Sequence, residues 1–410
     1  MKRLTKATSI ALALGTAGTL LASVSSGAFA ATRHDSLPTG QHITVFSHLT
    51  PQELSVMQKL ANAWGKQTGN TVTVVQDNSS FQNFATASRS GKGPDIELGI
   101  PHDNLGTFAI EGVMAPVPAG LINTKDYIKP SIQAGTIGGK LYGIPLSSET
   151  YGLFYNKKII KTPPKTWAQF ISEAKAHGFA YDINNFYYSY AFIGGMGGYV
   201  FGNNHGVANV GQIGLDNAGA IKGLSIIKSF VSQYHFMPAS ITGDIAKSLF
   251  QNGKSAFYIS GPWDVSSLLQ AHVKFGIAPL PLLPNGRHPV TFEGFQEMIV
   301  NARSHNQALD WNLVKYISQH AAAQELAVGD RIPVLVKDVH SKMVSSNPYA
   351  YPFAIAAQYG VPMPNVPQMQ AVWTPAGNAL SFVTKGQESP AVAAHNMVKQ
   401  ILQGESIMGN

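Results

Sequence analysis

Between His42 and Pro101 the chain switches twice between two hydrophobic periodicities, and this switching limits the fold more than any other feature. HITVF reads as a strand. Pro51 to Gln67 reads as a helix, with Leu54, Met57, Leu60, Ala61 and Trp64 on one face and Gly69 at its end. TVTVV is a second strand, and GKGPDIELGI is a glycine turn feeding a third, buried one. Strand, helix and strand at this spacing predict a parallel pair joined by a right-handed crossover. Open α/β sheets bind ligands at the carboxyl ends of their strands, so the loop Pro101, His102, Asp103, Asn104 is a candidate site.

A second unit begins at YGLFYN. Two prolines precede TWAQF, where Thr166 and Gln169 form a capping box. LDNAGAIKGLSIIKSFV reads as a helix with Asp216 as its N-cap. KSAFYISGPW reads as a strand whose glycine-proline turn leaves Trp263 at the carboxyl end. Phe295 to Asn301 reads as another strand, followed by a helix carrying Trp311, Leu313, Val314 and Ile317. Three prolines keep YGVPMPNVPQMQAVW irregular until about Gln368, and Val372 to Gln403 reads as helical. With 410 residues the chain exceeds what one core ordinarily serves, and two lobes are expected.

The start of the chain has Lys2, Arg3 and Lys6, an apolar stretch from about Ile10 to Val24, and Ala28 and Ala30 around Phe29. This is the layout of a secretory signal cleaved after Ala30. Gly15, Gly18 and several Ser and Thr make the stretch too short and polar for a membrane anchor. Without those three basic residues the net charge of +7 falls by three, and no Lys/Arg cluster could track phosphates. Nucleic acid is therefore not an expected partner. The chain has no cysteine, which excludes disulfides, thiolate metal sites and a lipidated N-terminal cysteine; Ser23 follows Leu20, Leu21 and Ala22. An exported, unlipidated protein of the periplasm or the extracellular or wall space is expected.

GxxxxGK[ST], GxSxG and HExxH are all missing, and the thirteen histidines lack paired ligand spacing. No metal or cofactor is expected. Glu149 follows a short apolar strand and could act as an acid in a cleft or accept hydrogen bonds from ligand hydroxyls. Only Asp103 stands at a comparable strand end, so glycoside hydrolysis is the lesser reading. Aromatics gather instead in glycine- and proline-rich turns: Tyr151, Tyr155, the NNFYYSYAF run, Trp263 and Trp373. Aromatic faces beside amide and carboxylate edges suit sugars, although core packing accounts for each aromatic taken singly. NNFYYSYAF reads as an extended or one-turn segment, whose alternation cannot point five aromatics one way, so Tyr188, Tyr190 and Phe192 are expected to pack beneath. A sugar-binding carrier, a secreted hydrolase and a surface adhesin all remain open on these residues.

GKGPDI with HDNLG, GKLYGIP with the following Glu149, YNKKIIKTPPKTW, GLDNAGA, SGPW, and MPNVPQM followed by AVW occur in the order seen in maltose- and maltodextrin-binding proteins of ABC importers. The chain resembles that family over essentially its whole length after residue 30. The resemblance implies an α/β, two-lobe periplasmic-binding-protein fold (type II), with ligand in the inter-lobe cleft and hinge crossings near 147–151, 293–297 and 344–347. One lobe would hold residues 31–148 and 296–344, the other 149–295 and 345–410. It also implies a monomeric, non-enzymatic carrier that delivers maltodextrin-type oligosaccharides to ABC permease subunits. Carried over by residue, the cleft acid is Asp103, the crossover glutamate Glu149, the stacking tyrosine Tyr187 with Asn185 and Phe186 beside it on the ligand face, the turn tryptophan Trp263, the late tryptophan Trp373 and the methionine near it Met363.

Departures from the family pattern stand beside these matches. Asn104, Asn185 and Gly377 occupy positions where the family has an arginine, a glutamate and an arginine, and the early loop that would hold an acid and a lysine reads LTPQE. Charged residues make up only 12% of the chain, against roughly 25% in ordinary soluble proteins. Work in an acidic exterior, where carboxylates protonate, would explain both features, and so would lineage composition.

Overall fold

Two sheets organise the residues that the computed structural model describes, 37–204 and 207–408; the expected signal and its cleavage site lie outside them. The larger sheet begins with β1 (His42–Ser47), β2 (Thr71–Gln76) and β3 (Ile96–Pro101). β1 lies between β2 and β3 and pairs with both in parallel, with His42 opposite Thr71 and Phe46 opposite Glu97. Across β3 the order continues through Phe292–Val300, Gly143–Glu149 and Ile332–Pro333, each antiparallel to its neighbour.

Helix α1 (Pro51–Thr68) makes the parallel pairing possible. Its N-cap Thr50 and Glu53 form a capping box, proline occupies its first turn, and Gly69 takes φ 71° to end it. Met57, Leu60, Ala61 and Trp64 face the sheet, and the Trp64 indole donates to Asn312 Oδ1 at 2.8 Å. These side chains share a core with Val45, Ile96, Leu98, Trp311 and Val314.

The smaller sheet runs Phe275–Ala278, Gly152–Asn156, Phe257–Ser260, Phe179–Ala180. Its core is aromatic, with Phe154, Phe170, Phe179, Tyr181, Phe230 and Phe257 fully buried. The long strand Phe292–Val300 serves both cores: Phe292 packs in the aromatic one, Phe295, Met298 and Val300 in the other. Among the described residues no helix is long and apolar enough to cross a membrane.

Several local readings need correction. Asn217, not Asp216, caps the helix Ala218–Ser232, because the asparagine side chain reaches the Ala220 N–H; Asp216 instead meets His395 Nδ1 at 2.8 Å. The strand expected from Phe295 begins at Phe292. The C-terminal stretch is two helices, Trp373–Thr384 and Pro390–Met408, parted where Gly386 adopts φ 71°. NNFYYSYAF, read as extended or a single turn, opens the ten-residue helix Phe186–Gly195.

Candidate functional site

A cavity of about 630 Å³ lies beside the carboxyl end of β3. A second, of about 430 Å³, adjoins it, with Phe81, Pro101, Glu149 and Trp263 lining both. Of the nine residues expected at the site, Asp103, Asn104, Glu149, Asn185, Tyr187, Trp263, Met363 and Trp373 line the larger cavity. Phe186 does not. It is 2% exposed and packs against Tyr190, Phe292 and Trp373, because the helix turns it inward while Tyr187 and Tyr188 face the opening. Tyr188, expected beneath, lines the cavity, whereas Tyr190 and Phe192 are core; Tyr190 stacks on Phe292 at 3.9 Å.

The wall formed by this helix is aromatic. Asn185 is its N-cap: Oδ1 accepts the Tyr187 N–H at 3.1 Å and Nδ2 donates to Asp182 at 3.3 Å. Tyr187 packs over buried Tyr151 at 4.9 Å and beside Trp263 at 6.1 Å. Its hydroxyl is buried with no hydrogen-bond partner, and burial raises its pKa well above the ordinary value. Trp263 sits in the turn Pro262–Asp264, its ring folded back over Gly261, where an added Cβ would come within 2.2 Å of the ring. Asp264 fixes that turn by accepting from Tyr258 and Ser260 and pairing with Lys247 at 2.7 Å.

The facing wall is polar. Asp103 and Asn104 lie in the 3-10 turn His102–Asn104 at the end of β3. Fully buried His102 holds the turn in place: Nδ1 accepts the Phe295 N–H at 3.1 Å, so Nε2 is the protonated nitrogen and donates to the Met363 carbonyl at 2.7 Å. Burial lowers its pKa to about 4, which keeps the ring neutral. Gln82 donates to Asn104 Oδ1, Asn104 Nδ2 lies 3.3 Å from Asp103 Oδ1, and Gln370 donates to the Asp103 carbonyl. Burial raises the Asp103 pKa to about 7, with hydrogen bonds from Trp373 and Gln370 pulling partly the other way.

Glu149 is held differently. Its Oε1 accepts from Gln296 Nε2 at 2.6 Å and its Oε2 pairs with Arg331. Arg331 also meets Glu53, with Nε 2.5 Å from Oε1. Burial alone would raise the Glu53 pKa, but Arg331 outweighs it and lowers the value to about 2. Glu325 lies 3.8 Å from Arg331; burial, reinforced by Glu53, raises its pKa well above the ordinary value.

Gln82, Gln370 and Arg331 carry no signal in the sequence that marks them for the site. Gln82 stands in helix α2 (Gln82–Arg89) with no neighbouring motif, and Arg331 reaches Glu53 across 278 positions. Tyr188 was named but turned the wrong way, for want of a helix.

An apolar, aromatic wall facing carboxyls and amides across a cavity of this size can bind a polar ligand with flat apolar faces. Residues 50–324 match the family described as bacterial extracellular solute-binding protein. A galactooligosaccharide-binding protein of Bacillus subtilis (strain 168) is 33% identical over 318 residues, 74% of this chain and 75% of that protein. A maltooligosaccharide ABC transporter solute-binding lipoprotein of Streptococcus pneumoniae (strain ATCC BAA-255 / R6) is 29% identical over 367 residues, 85% of each chain. The X-ray structure of the maltose-maltodextrin binding protein of the thermoacidophilic bacterium Alicyclobacillus acidocaldarius shares 43% identity and a TM-score of 0.85, covering 88% of this chain and all of that one.

Proposed function

The chain belongs to the bacterial extracellular solute-binding protein family, and we propose that it binds maltodextrin-type oligosaccharides and delivers them to the permease of an ABC importer. The buried, unpartnered Tyr187 hydroxyl carries this reading. A buried polar group without a partner is costly, and a sugar hydroxyl entering the cavity would supply the partner. Trp263, Tyr188 and Trp373 would lie against sugar rings, while Asp103, Asn104 and Gln370 would meet their hydroxyl rims. Two adjoining cavities leave room for more than one ring.

Ligand bridging the walls would favour a closed arrangement over an open one by its differential affinity. Placement of Phe292 and Phe295 in different cores supports a crossing within 293–297, with the lobes divided as 31–148 with 296–344 and 149–295 with 345–410. The protein acts as an exported monomer and performs no chemistry on the sugar.

Calorimetric titration with maltotriose tests the reading, with galactooligosaccharide as the second arm because one relative carries that name. Maltotriose should bind more tightly, remain intact, and stabilise the fold by about 2.7 kcal/mol at a hundredfold excess over Kd. Tyr187→Phe should weaken binding without lowering the stability of the free protein, since it removes an orphan group. Preference for galactooligosaccharide, release of glucose, or unchanged affinity in Tyr187→Phe would each overturn a part of it.

A further inference from the structure

His48, Asp77 and Glu97 come together although nothing in their sequence spacing suggests it. β1, β2 and β3 are adjacent, His48 and Asp77 each follow directly on the last residue of a strand, and Glu97 sits within β3. Two backbone bonds fix the offset: the Asp77 N–H donates to the Ser47 carbonyl at 2.9 Å and the His48 N–H to the Leu98 carbonyl at 3.0 Å.

His48 Nε2 lies 3.0 Å from Glu97 Oε1 and 3.6 Å from Asp77 Oδ2. One ligand atom from each residue falls within 4.8 Å of the others. Glu97 is fully buried and its Oε2 has no hydrogen bond, while its Oε1 and His48 Nε2 have no partner outside the cluster. Asp77 Oδ1 accepts the Ser79 N–H at 2.7 Å, which leaves Oδ2 for the cluster. Among the described residues neither acid pairs with a lysine or arginine. Gln76, next to Asp77, also leaves Oε1 buried without a partner, and with His48 it lines the smaller cavity.

We propose that His48 Nε2, Asp77 Oδ2 and the Glu97 carboxylate bind a divalent transition-metal ion, of the Zn²⁺ or Mn²⁺ kind, reached from the smaller cavity. One imidazole nitrogen with two carboxylates is a donor set that suits such ions. Around one ion with bonds of about 2.0–2.2 Å, ligand atoms lie at most roughly 4.4 Å apart, so a small inward movement completes the set. A dication would also compensate the fully buried Glu97 carboxylate and the half-buried Asp77 carboxylate, which among the described residues pair with no cationic side chain other than that histidine. The aromatic contact of Phe81 with the His48 ring, 4.7 Å between centroids, keeps that ring in place.

The test uses the full chain treated with chelator and kept free of sugar, so its outcome is independent of the oligosaccharide reading. Titration with Zn²⁺, and separately with Mn²⁺, should show saturable binding of one ion per chain and a rise in Tm with metal concentration. Glu97→Gln and Asp77→Asn should each weaken that binding by at least about tenfold, the low end for losing even an outer partner of a metal ligand. Both substitutions are near-isosteric, and Glu97→Gln removes a buried charge, so its fold should hold without metal. Failure of both ions to raise Tm, or equal binding by the parent and both variants, would overturn the proposal and assign any uptake to other histidines.

Discussion

Asp103 and Glu149 line one cavity, yet Glu149 meets Gln296 and Arg331 while Asp103 meets amides and an indole. A buried carboxylate keeps its charge only where a countercharge or several donors offset desolvation. Arg331 pairs with Glu149 and Glu53 together, and it holds the Glu53 carboxyl well below its ordinary range. At the other end no cationic side chain among the described residues pairs with Asp103, and Asn104 completes a chain of neutral amides instead. Asp103 is consequently half-protonated near neutrality and neutral in acid, able to donate as well as accept. One cavity thus combines an end held by an arginine countercharge with an end whose acid changes character as the pH falls.

Removing the countercharge gives the largest effect. Arg331→Met leaves Glu53 and Glu149 buried without it and should cost about 3–5 kcal/mol at pH 7, read by urea unfolding. The Glu53 carboxyl, held near 2 in the folded protein against an ordinary 4.5, contributes stability that is present above 4.5 and lost as pH falls through 2. The deficit of the variant should therefore be full at pH 7 and shrink toward pH 2. A variant as stable as the parent at pH 7 would break the contrast, because Glu149 would then be no better anchored than Asp103.

The adjustable end responds in the opposite direction. With its folded pKa near 7 and an ordinary value of 3.8, Asp103 holds a proton in the folded state that the unfolded chain releases. Stability should then rise as pH falls from 8 toward about 4. Asp310, raised to about 7 by burial, and Asp330, raised to about 6 by burial, add to the same slope. Asp103→Asn should flatten the slope by the share of one group, and its sugar affinity should match the parent in acid and diverge above pH 7. A slope that survives Asp103→Asn unchanged would remove Asp103 from this role. Gain of stability in acid would also give the low charge content a physical use, since lineage composition alone predicts no such slope.

Sequence reasoning located most of this cavity but not its energetics. β1, α1 and β2 were legible because caps, proline, glycine and alternation agree at each boundary. Asp103, Glu149 and Trp263 were legible because each lies at the end of a strand or in the turn that follows it. The helix Phe186–Gly195 was not: seven of its ten residues are buried, so no polar face marks its period. Nor could Arg331 be read, since its meaning depends on three glutamates from separate segments. The cluster of His48, Asp77 and Glu97 was invisible for the same reason, as strand pairing alone brings it together.

The smallest test asks whether the adjustable end extends across the cavity to Asn185. In the structure this residue first serves its own helix, accepting the Tyr187 N–H, so Asn185→Ala should lower stability by about 1 kcal/mol. Asn185→Ser keeps a capping oxygen and should restore that stability. It loses the amide, however, which lies exposed at the cavity wall beside Tyr187. If the amide also meets sugar, the serine variant will bind maltotriose a few-fold more weakly, at about 1 kcal/mol for one hydrogen bond, while unfolding like the parent. Equal affinity would confine Asn185 to capping. The neutral substitutions would then matter only around Asp103, and the aromatic wall would hold sugar by its ring faces alone.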